Sequence, residues 1–342
     1  MKKIISLVLA LALCLGACLA LASCEDSSIK INPDKEKYVV GICQLITHDA
    51  LDSATQGFKD ALTEALAAEG REVEFLYQNA AGDSNTCTTI VNSFVSQDVD
   101  LILANATAAL QAAANATLNI PVLGTSITEY GVALEIDDFN GTVGGNVSGT
   151  SDLAPLTTQA QMMIDTLGLK SGDKVGLLYC SSEPNSQYQV DEVKKYLTEK
   201  GMVCTDYKFT DSNDLQSIAT NAANNCDAIY VPTDNTAASN TEIINNVCAP
   251  KKIPVFAGEE ATCAGCGYAT LAISYYNIGK KTGEMAAQIL LGKTDITTLA
   301  VQYDAAPVKK YNKAACVNLG IDVAALEAAG YVMIEGTDTV SE

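Results

Sequence analysis

The chain contains two similar halves, residues 39–130 and 175–262, that follow one another. Three segments recur in the same order and roughly 130 positions apart: Val40-Gly41-Ile42 with Val175-Gly176-Leu177, Asp100-Leu101-Ile102 with Asp227-Ala228-Ile229, and Ile120-Pro121-Val122 with Ile253-Pro254-Val255. A repeat of this length indicates a duplicated domain, because the units of solenoid proteins span only about 20 to 50 residues. Two similar domains that face each other form a cleft, which is where small ligands usually bind.

Each half alternates short β-branched runs with longer amphipathic stretches, which is the pattern of βαβ units and a parallel sheet. The short runs predict strands over residues 38–43, 73–77, 101–104, 121–123, 174–179, 203–209, 228–231 and 254–257. The clearest helices span 50–69 and 185–200, with apolar residues spaced for one face. We therefore predict an α/β fold with two Rossmann-like lobes, each built on a parallel sheet.

The segments outside the repeats predict how the lobes are joined. The glycine-rich segment 141–149 is interpreted as one hinge crossing, and a strand over 268–274, a helix over 278–291 and a further crossing over 298–307 follow the second half. Three hinge crossings restrict the lobes to a bending motion, which suits closure around a ligand. The predicted lobes are 38–148 with about 276–304, and 149–275 with about 305–336.

The N-terminus has the features of an export signal. Met1-Lys2-Lys3 precedes a short apolar run, residues 4–13, that is too short to be read first as a membrane-spanning helix. The protein is therefore expected outside the cytoplasm.

The end of this signal carries a candidate lipid-attachment cysteine. Leu21-Ala22-Ser23-Cys24 resembles a bacterial lipobox, which makes residues 1–23 a lipoprotein signal peptide and Cys24 the lipidated residue. Cys18 is the alternative, but the polar residues directly after Cys24 favour Cys24. Residues 24–37 then form a tether to the cell membrane, because acyl chains at one cysteine supply the two signals that stable anchoring needs.

Charge and composition exclude several classes of partner and chemistry. The net charge is −20, from 21 basic and 41 acidic residues, which disfavours nucleic acid and anionic lipid surfaces. The chain has one histidine, no serine elbow beside it and no glycine-rich phosphate loop, so we expect no enzymatic activity. The absence of tryptophan disfavours a sugar site, because sugar rings usually stack on aromatic side chains.

Cysteine is frequent for an exported protein. Of the 12 cysteines, those remaining after Cys14, Cys18 and Cys24 are odd in number, so at least one has no partner within the chain. Cys263 and Cys266 are near enough in sequence to form a local disulfide or half of a metal site. A second Cys/His pair at zinc spacing is absent, so the sequence predicts no metal and no cofactor.

Candidate ligand-binding residues follow from the topology. In open parallel sheets, ligands lie beyond the carboxyl ends of the strands. This rule selects Gln44, His48, Asn79, Thr107 and Ser126 in the first lobe, and Ser182, Glu183, Asn185, Ser186, Thr233, Asp234, Asn235, Glu259 and Glu260 in the second, with Tyr275 after the final strand.

The chemistry of the selected residues is acidic. Carboxylates collect on the second lobe, and neither lobe has lysine or arginine at these positions, which favours a ligand with a cationic group. Ser182, Ser186 and the helix that begins near Asn185 would hold a ligand carboxylate, because helix N-termini attract anions. A ligand with both groups is an amino acid, whereas a polyamine would leave the serines unused.

Structural roles compete with ligand binding at several of these positions. Asp234 is also in the position of a helix cap, and His48 could cap or pack against the helix that starts at Asp49. Glu259 and Glu260 are adjacent on an extended segment, so only one of the two is expected to face the cleft. Tyr275 and Tyr276 could likewise line the cleft or pack in the hinge, and one of the two is expected to face the cleft.

Four motifs in order resemble those of a known family. They are Tyr77-Gln78-Asn79-Ala80-Ala81-Gly82-Asp83, Ser181-Ser182-Glu183-Pro184-Asn185-Ser186, Tyr230-Val231-Pro232-Thr233-Asp234-Asn235-Thr236 and Val255-Phe256-Ala257-Gly258-Glu259-Glu260. Over about residues 38–322 the chain resembles the tryptophan/aromatic amino-acid type of ABC transporter substrate-binding lipoproteins. The resemblance implies the type I periplasmic-binding-protein fold, and a cleft lined by the Ser-Glu-Pro-Asn-Ser and Thr-Asp-Asn turns.

This chain departs from the family pattern at two of these places. Ala106-Thr107-Ala108 stands where relatives usually carry Ala-Thr-Pro, and Gly258-Glu259-Glu260 where Gly-Asp-Glu is typical. The segment from Cys263 to Cys266 is also unusual for the family. These departures leave the implied fold unchanged and bear on which ligand side chain is bound.

The resemblance implies a monomeric receptor that delivers its ligand to an ABC permease and its ATPase. We expect an aromatic or large apolar amino acid as ligand, with a sugar, nucleoside or polyamine as alternatives. A surface lipoprotein that signals ligand occupancy to a membrane partner would use the same cleft. An extracellular thiol-redox protein would instead depend on a reactive Cys263–Cys266 pair.

Overall fold

The computed structural model describes residues 29–303 and 307–338. The predicted signal peptide over 1–23, and both candidate lipidation sites, Cys18 and Cys24, lie outside the described residues. Two α/β lobes account for the described chain, each with a central sheet between helices.

The first lobe is built on a parallel sheet. Among the described residues its strands are β1 (Lys37–Gln44), β2 (Glu72–Asn79), β3 (Leu101–Asn105), β4 (Val122–Ile127), β5 (Val147–Ser151) and β11 (Gln302–Tyr303). They lie in the order β2-β1-β3-β4-β5-β11, and each neighbouring pair is parallel.

The second lobe repeats this arrangement. Its strands are β6 (Lys174–Cys180), β7 (Val203–Phe209), β8 (Ala228–Val231), β9 (Val255–Ala257), β10 (Ala269–Ala272), β12 (Val308–Tyr311) and β13 (Val332–Met333). The order is β7-β6-β8-β9-β10-β12-β13, with one antiparallel pair between β10 and β12. Five strands of each lobe thus follow the same order, which confirms the duplication expected from sequence.

Helices cover both faces of each sheet. They are α1 (Asp49–Ala68), α2 (Ser84–Ser96), α3 (Thr107–Ala116), α4 (Tyr130–Leu134), α5 (Leu156–Leu167), α6 (Pro184–Glu199), α7 (Ser212–Asn225), α8 (Asn235–Ala238), α9 (Thr241–Cys248), α10 (Glu260–Cys266), α11 (Tyr275–Leu290), α12 (Lys313–Leu319) and α13 (Val323–Ala328). Short 3₁₀ helices occupy Ala249–Lys251 and Ile296–Thr298. The apolar face predicted for α1 is buried against the first sheet, with Phe58, Leu62 and Leu66 fully covered.

Strand β5 differs from the sequence expectation. The segment 141–149 was expected to be a hinge crossing, but β5 lies inside the first sheet, between β4 and β11. Its sequence, Val-Ser-Gly-Thr-Ser, lacks apolar alternation, and its hydroxyls are buried in hydrogen bonds instead: Ser148 donates to Leu299 and Thr150 lies 2.8 Å from Thr282. The predicted lobe boundary after residue 148 therefore falls within a strand.

The chain passes between the two sheets at three places. The first passage joins β5 to α5, the second joins β10 to α11, and the third joins β11 to β12. The first two passages leave the carboxyl ends of β5 and β10, so these ends of both sheets lie toward the space between the lobes.

Helix α11 returns to the first lobe and packs closely on α1. A Cβ atom built on Gly279 would lie 2.0 Å from the carbonyl oxygen of Ala54, and one built on Gly57 would lie 2.1 Å from that of Tyr276. Only glycine permits this approach of the two backbones. The contact fixes the helix whose first residue, Tyr275, reaches the cleft.

Residues 29–36 differ from the free tether expected over 24–37. Ile29 and Ile31 pack against the core of the first lobe, and the amide of Lys30 donates to Asn119. The hydroxyl of Tyr38 lies near the carbonyls of Asn32 and Pro33. Residues 24–28 lie outside the described residues.

No helix in the described part of the chain is long and apolar enough to cross a membrane.

Candidate ligand-binding cleft

A cavity lies between the lobes at the carboxyl ends of both sheets. Its walls are formed by His48, Leu51, Ser126, Thr128, Asp152, Asn185, Thr233, Asp234, Asn235, Ala238, Glu259 and Tyr275. The cavity has a volume of about 10 Å³, room for about one water molecule. The lobes are therefore closed, and an amino acid could enter only after they move apart.

The first lobe contributes polar atoms that have no partner. Ser126, near the end of β4, has a φ of 57°, which is the left-handed region, and its buried Oγ makes no hydrogen bond. His48 precedes α1, and its buried Nδ1 is also without a partner. Strained backbone together with an unsatisfied buried hydroxyl is typical of a ligand-contacting position.

Asp152 lies in the first passage between the lobes, directly after β5. Its carboxyl is buried, Oδ2 accepts a hydrogen bond of 2.8 Å from the Tyr275 hydroxyl, and Oδ1 has no partner. Burial raises the pKa of Asp152 to about 6, with a further contribution from Glu259, while the hydrogen bond from Tyr275 and the nearby Thr128 hydroxyl act in the opposite direction.

Asp234 is held within the second lobe by backbone amides. It caps α8, with Oδ1 accepting from Ala237 at 2.8 Å and Oδ2 accepting from Cys180 at 2.7 Å. Burial and the neighbouring Glu183 carboxylate nevertheless raise the pKa of Asp234 to about 8. Both of its oxygens are thus occupied by groups of its own lobe.

Glu183 and Glu259 cap helices in the same way. The oxygens of Glu183 accept from the amides of Asn235 and Thr236, both at 2.9 Å, at the start of α8. Glu259 accepts from the amides of Ala261 at 2.6 Å and Thr262 at the start of α10. Carboxylates are favoured there because helix N-termini carry unpaired N–H groups and partial positive charge.

One side-chain contact joins the two lobes across the cavity. His48 Nε2 lies 3.3 Å from Oδ1 of Asn235. Asn235 is itself held by Glu183, to which its Nδ2 donates at 2.7 Å. The His48–Asn235 contact therefore links a first-lobe helix to a fixed turn of the second lobe.

In each of the adjacent pairs Glu259–Glu260 and Tyr275–Tyr276, one residue faces the cleft and the other does not. Glu259 lines the cavity, whereas Glu260 makes a salt bridge of 2.5 Å with Lys310. Tyr275 lines the cavity, whereas the half-exposed Tyr276 donates to Asp60 within the first lobe.

The remaining sequence-selected residues do not line the cavity. They are Gln44, Asn79, Thr107, Ser182, Glu183, Ser186 and Glu260. Gln44 is fully buried and bonded to Thr55 and Asp52, and Asn79 bonds to Thr47. Ser182 is exposed and its hydroxyl donates to Thr210, while Ser186 is buried beside Asp234.

The sequence selection missed Leu51, Thr128, Asp152 and Ala238. Asp152 stands where the strand-end rule would have found it, one residue after β5. It was missed because the polar, glycine-containing β5 was interpreted as part of a crossing.

The cysteine pair offers no exposed redox centre. Cys263 and Cys266 lie on α10, and both are buried and form no disulfide bond. Burial raises the pKa of both thiols well above the ordinary value. Among the described residues, no group of three His, Cys, Asp or Glu side chains is placed to hold a metal ion.

The model of the ABC transporter substrate binding protein family matches residues 39–325. The chain belongs to this family. ABC substrate-binding proteins act outside the cytoplasm and bind a small solute for an importer.

Several known proteins resemble the chain over most of its length. A tyrosine-binding protein of Clostridioides difficile is 33% identical over 309 residues, which are 87% of this chain and 88% of that protein. The structure of an ABC domain in complex with L-Trp from Streptococcus pneumonia is 30% identical with a TM-score of 0.79, covering 87% of this chain and 100% of that one. A ligand-free, open substrate-binding protein with adhesive properties from Clostridium difficile is 32% identical with a TM-score of 0.64, over the same shares of the two chains.

Proposed function

We propose that this substrate-binding protein captures one amino acid, aromatic or large and apolar, between its lobes and delivers it to an ABC permease. The observation that carries the proposal is the charge of the cavity. Its ionisable carboxyl groups are Asp152, Asp234 and Glu259, and no lysine or arginine is among its lining residues. A closed, acidic cavity selects a solute with a positive group.

The polar groups of the cavity also suit the rest of an amino acid. Ser126 and Asn185 supply a hydroxyl and an amide beside the start of α6, where a ligand carboxylate would be stabilised. Leu51, Ala238 and the ring of Tyr275 offer apolar surface for a side chain. An aromatic ligand side chain is supported by two relatives, one named a tyrosine-binding protein and the other crystallised with L-Trp.

Closure of the lobes fits a receptor that presents its ligand in one conformation. The structure superposes better on the L-Trp complex, with a TM-score of 0.79, than on the open relative, at 0.64, although the identities are nearly equal. A ligand favours closure only by its differential affinity for the closed state. We further propose that the receptor is held at the cell membrane through Cys24, and that it performs no catalysis.

A ligand screen on the purified protein without its signal peptide tests the proposal. Binding raises the melting temperature by mass action, so the screen compares L-tyrosine, L-tryptophan, L-phenylalanine and L-leucine with glucose, adenosine and spermidine. Calorimetry then gives the affinity. We expect at least one aromatic amino acid to bind tightly, and a protein stabilised only by a sugar, a nucleoside or a polyamine would contradict the proposal.

A further inference from the structure

We propose that Asp152, and not a carboxylate of the second lobe, binds the ammonium group of the ligand. The inference rests on the proposed function, since it assumes that the ligand is an amino acid. It names the residue that makes the cleft selective for an amine.

In the two second-lobe carboxyl groups of the cavity, every oxygen already accepts a backbone N–H. Each oxygen of Asp234 accepts a backbone N–H, from Cys180 and Ala237, and each oxygen of Glu259 accepts one from Ala261 or Thr262. An ammonium ligand would have to compete with bonds that stabilise α8 and α10. These two side chains therefore act as helix caps, and the raised pKa of Asp234 makes it a still weaker partner for a cation near neutral pH.

Asp152 has the free oxygen that they lack. Oδ2 is held by the Tyr275 hydroxyl, which fixes the carboxyl group, and Oδ1 is buried and unpartnered in the cavity wall. The unpartnered Oγ of Ser126 lines the same cavity. A buried acceptor without a partner costs free energy, and a ligand N–H that reaches it removes this cost.

The surroundings of Asp152 link the ammonium group to closure. The titratable groups that share its cavity are Glu259, Asp234, Tyr275 and His48, and none of them is a lysine or arginine. Closing the lobes removes the Asp152 carboxylate from water, which disfavours its charged form unless a cation compensates. A ligand ammonium supplies this compensation, so a ligand without one would bind mainly to open lobes.

The experiment compares amino acids with analogues that lack the amino group. Calorimetry at pH 7.5 measures L-tyrosine and L-tryptophan against 3-(4-hydroxyphenyl)propionate and indole-3-propionate, in the wild type and in Asp152→Asn. We expect the wild type to prefer the amino acid by about 30-fold or more, as for a buried charge pair, and Asp152→Asn to lose most of this preference. The affinity for the des-amino analogue should be unchanged or higher in the variant.

Asp234→Asn is the matched comparison, because it replaces another carboxyl group of the same cavity by an amide. We expect it to melt at a lower temperature and to keep the preference for the amino acid. If the wild type binds neither amino acid, the proposed function fails. If the wild type shows the preference and Asp152→Asn retains it, this inference alone is overturned.

Tyr275→Phe keeps the inference testable if Asp152→Asn does not fold. The Tyr275 hydroxyl lowers the pKa of Asp152, so its loss leaves more of the carboxyl protonated near neutral pH. We expect amino-acid affinity to fall several-fold at pH 6.5 and to recover at pH 8, relative to wild type. If the affinity of Tyr275→Phe for the amino acid, divided by that of the wild type, is the same at pH 6.5 and at pH 8, the inference is overturned.

Discussion

The hydroxyl of Tyr275 lies 2.8 Å from Oδ2 of Asp152, so the first two passages between the lobes are joined by one buried hydrogen bond. Asp152 follows the last buried strand before the second lobe, and Tyr275 begins the helix that returns to the first. Both residues line the cavity, so the carboxyl group that we propose to bind the ligand also joins two of the passages between the lobes.

Replacing His48 should weaken ligand binding by loss of its contact with Asn235. The contact spans the cavity only when the lobes are closed, so its loss shifts the equilibrium toward open lobes. We expect His48→Ala to raise the Kd for the amino acid by about 2- to 12-fold, the range for one hydrogen bond. Calorimetry measures the change, with Thr47→Ala as a control at the exposed neighbouring position. An unchanged Kd would show that the contact does not stabilise closure.

Stability should fall with rising pH because of Asp234. Its pKa is about 8 in the folded chain, against an ordinary value of 3.8, so the folded state holds a proton that the unfolded state releases. The resulting stability is fully present below the unfolded pKa and is lost as pH rises through about 8. Asp234→Asn should therefore flatten the decline in Tm between about pH 5 and pH 8, where the unfolded state has lost the proton that the folded state keeps.

Asp211→Asn is the control for this pH profile, because Asp211 also caps a helix but is exposed. Its Tm should decline with pH in parallel with that of the wild type. A parallel decline in Asp234→Asn as well would mean that Asp234 does not carry the pH dependence.

A methyl group at Gly279 should separate α11 from α1. The added Cβ would overlap the carbonyl oxygen of Ala54, and neither backbone can move without disturbing its helix. We expect Gly279→Ala to lower the free energy of unfolding by about 1 to 3 kcal/mol, although alanine favours helix formation. Urea denaturation measures this change, and Lys281→Ala on the exposed face of the same helix should change it little. Stabilisation by Gly279→Ala would contradict the close approach.

Cysteine labelling should separate buried from accessible thiols. Burial raises the pKa of the Cys204, Cys263 and Cys266 thiols, but Cys204 is partly exposed, whereas Cys263 and Cys266 are buried. Since the thiolate is the reactive species, iodoacetamide should modify Cys204 first in the native protein. Cys263 and Cys266 should react only in denaturant, as peptide mass spectrometry would show. Rapid native labelling of either would favour the thiol-redox hypothesis instead.

Much of the architecture could be predicted from local sequence patterns. The apolar runs of β1 and β6, and the one-sided apolar spacing of α1, appear in the chain as they appear in the structure. Strand β5 could not be predicted in this way, because Ser148 and Thr150 are buried through hydrogen bonds to residues more than a hundred positions away. A polar strand of this kind is defined by its partners and not by its own composition.

The candidate site could also be predicted from the sequence only in part. The repeat and the strand-end rule placed His48, Ser126, Thr233 and Asp234 near the cleft, because side chains at the carboxyl ends of parallel strands meet at one edge. Sequence patterns could not show that the backbone N–H groups of Cys180 and Ala237 donate to the two carboxyl oxygens of Asp234. Nor could they show that Oδ1 of Asp152 has no hydrogen-bond partner.

The sequence by itself determined two duplicated α/β lobes and an acidic cleft between them, since periodicity and strand order are written in neighbouring residues. Only the tertiary structure decided which carboxylates are available to a ligand. A carboxylate oxygen is free or occupied according to the N–H and O–H groups that distant segments bring to it. For Asp152 that segment is the start of α11, which arrives more than a hundred residues later and binds one oxygen but not the other.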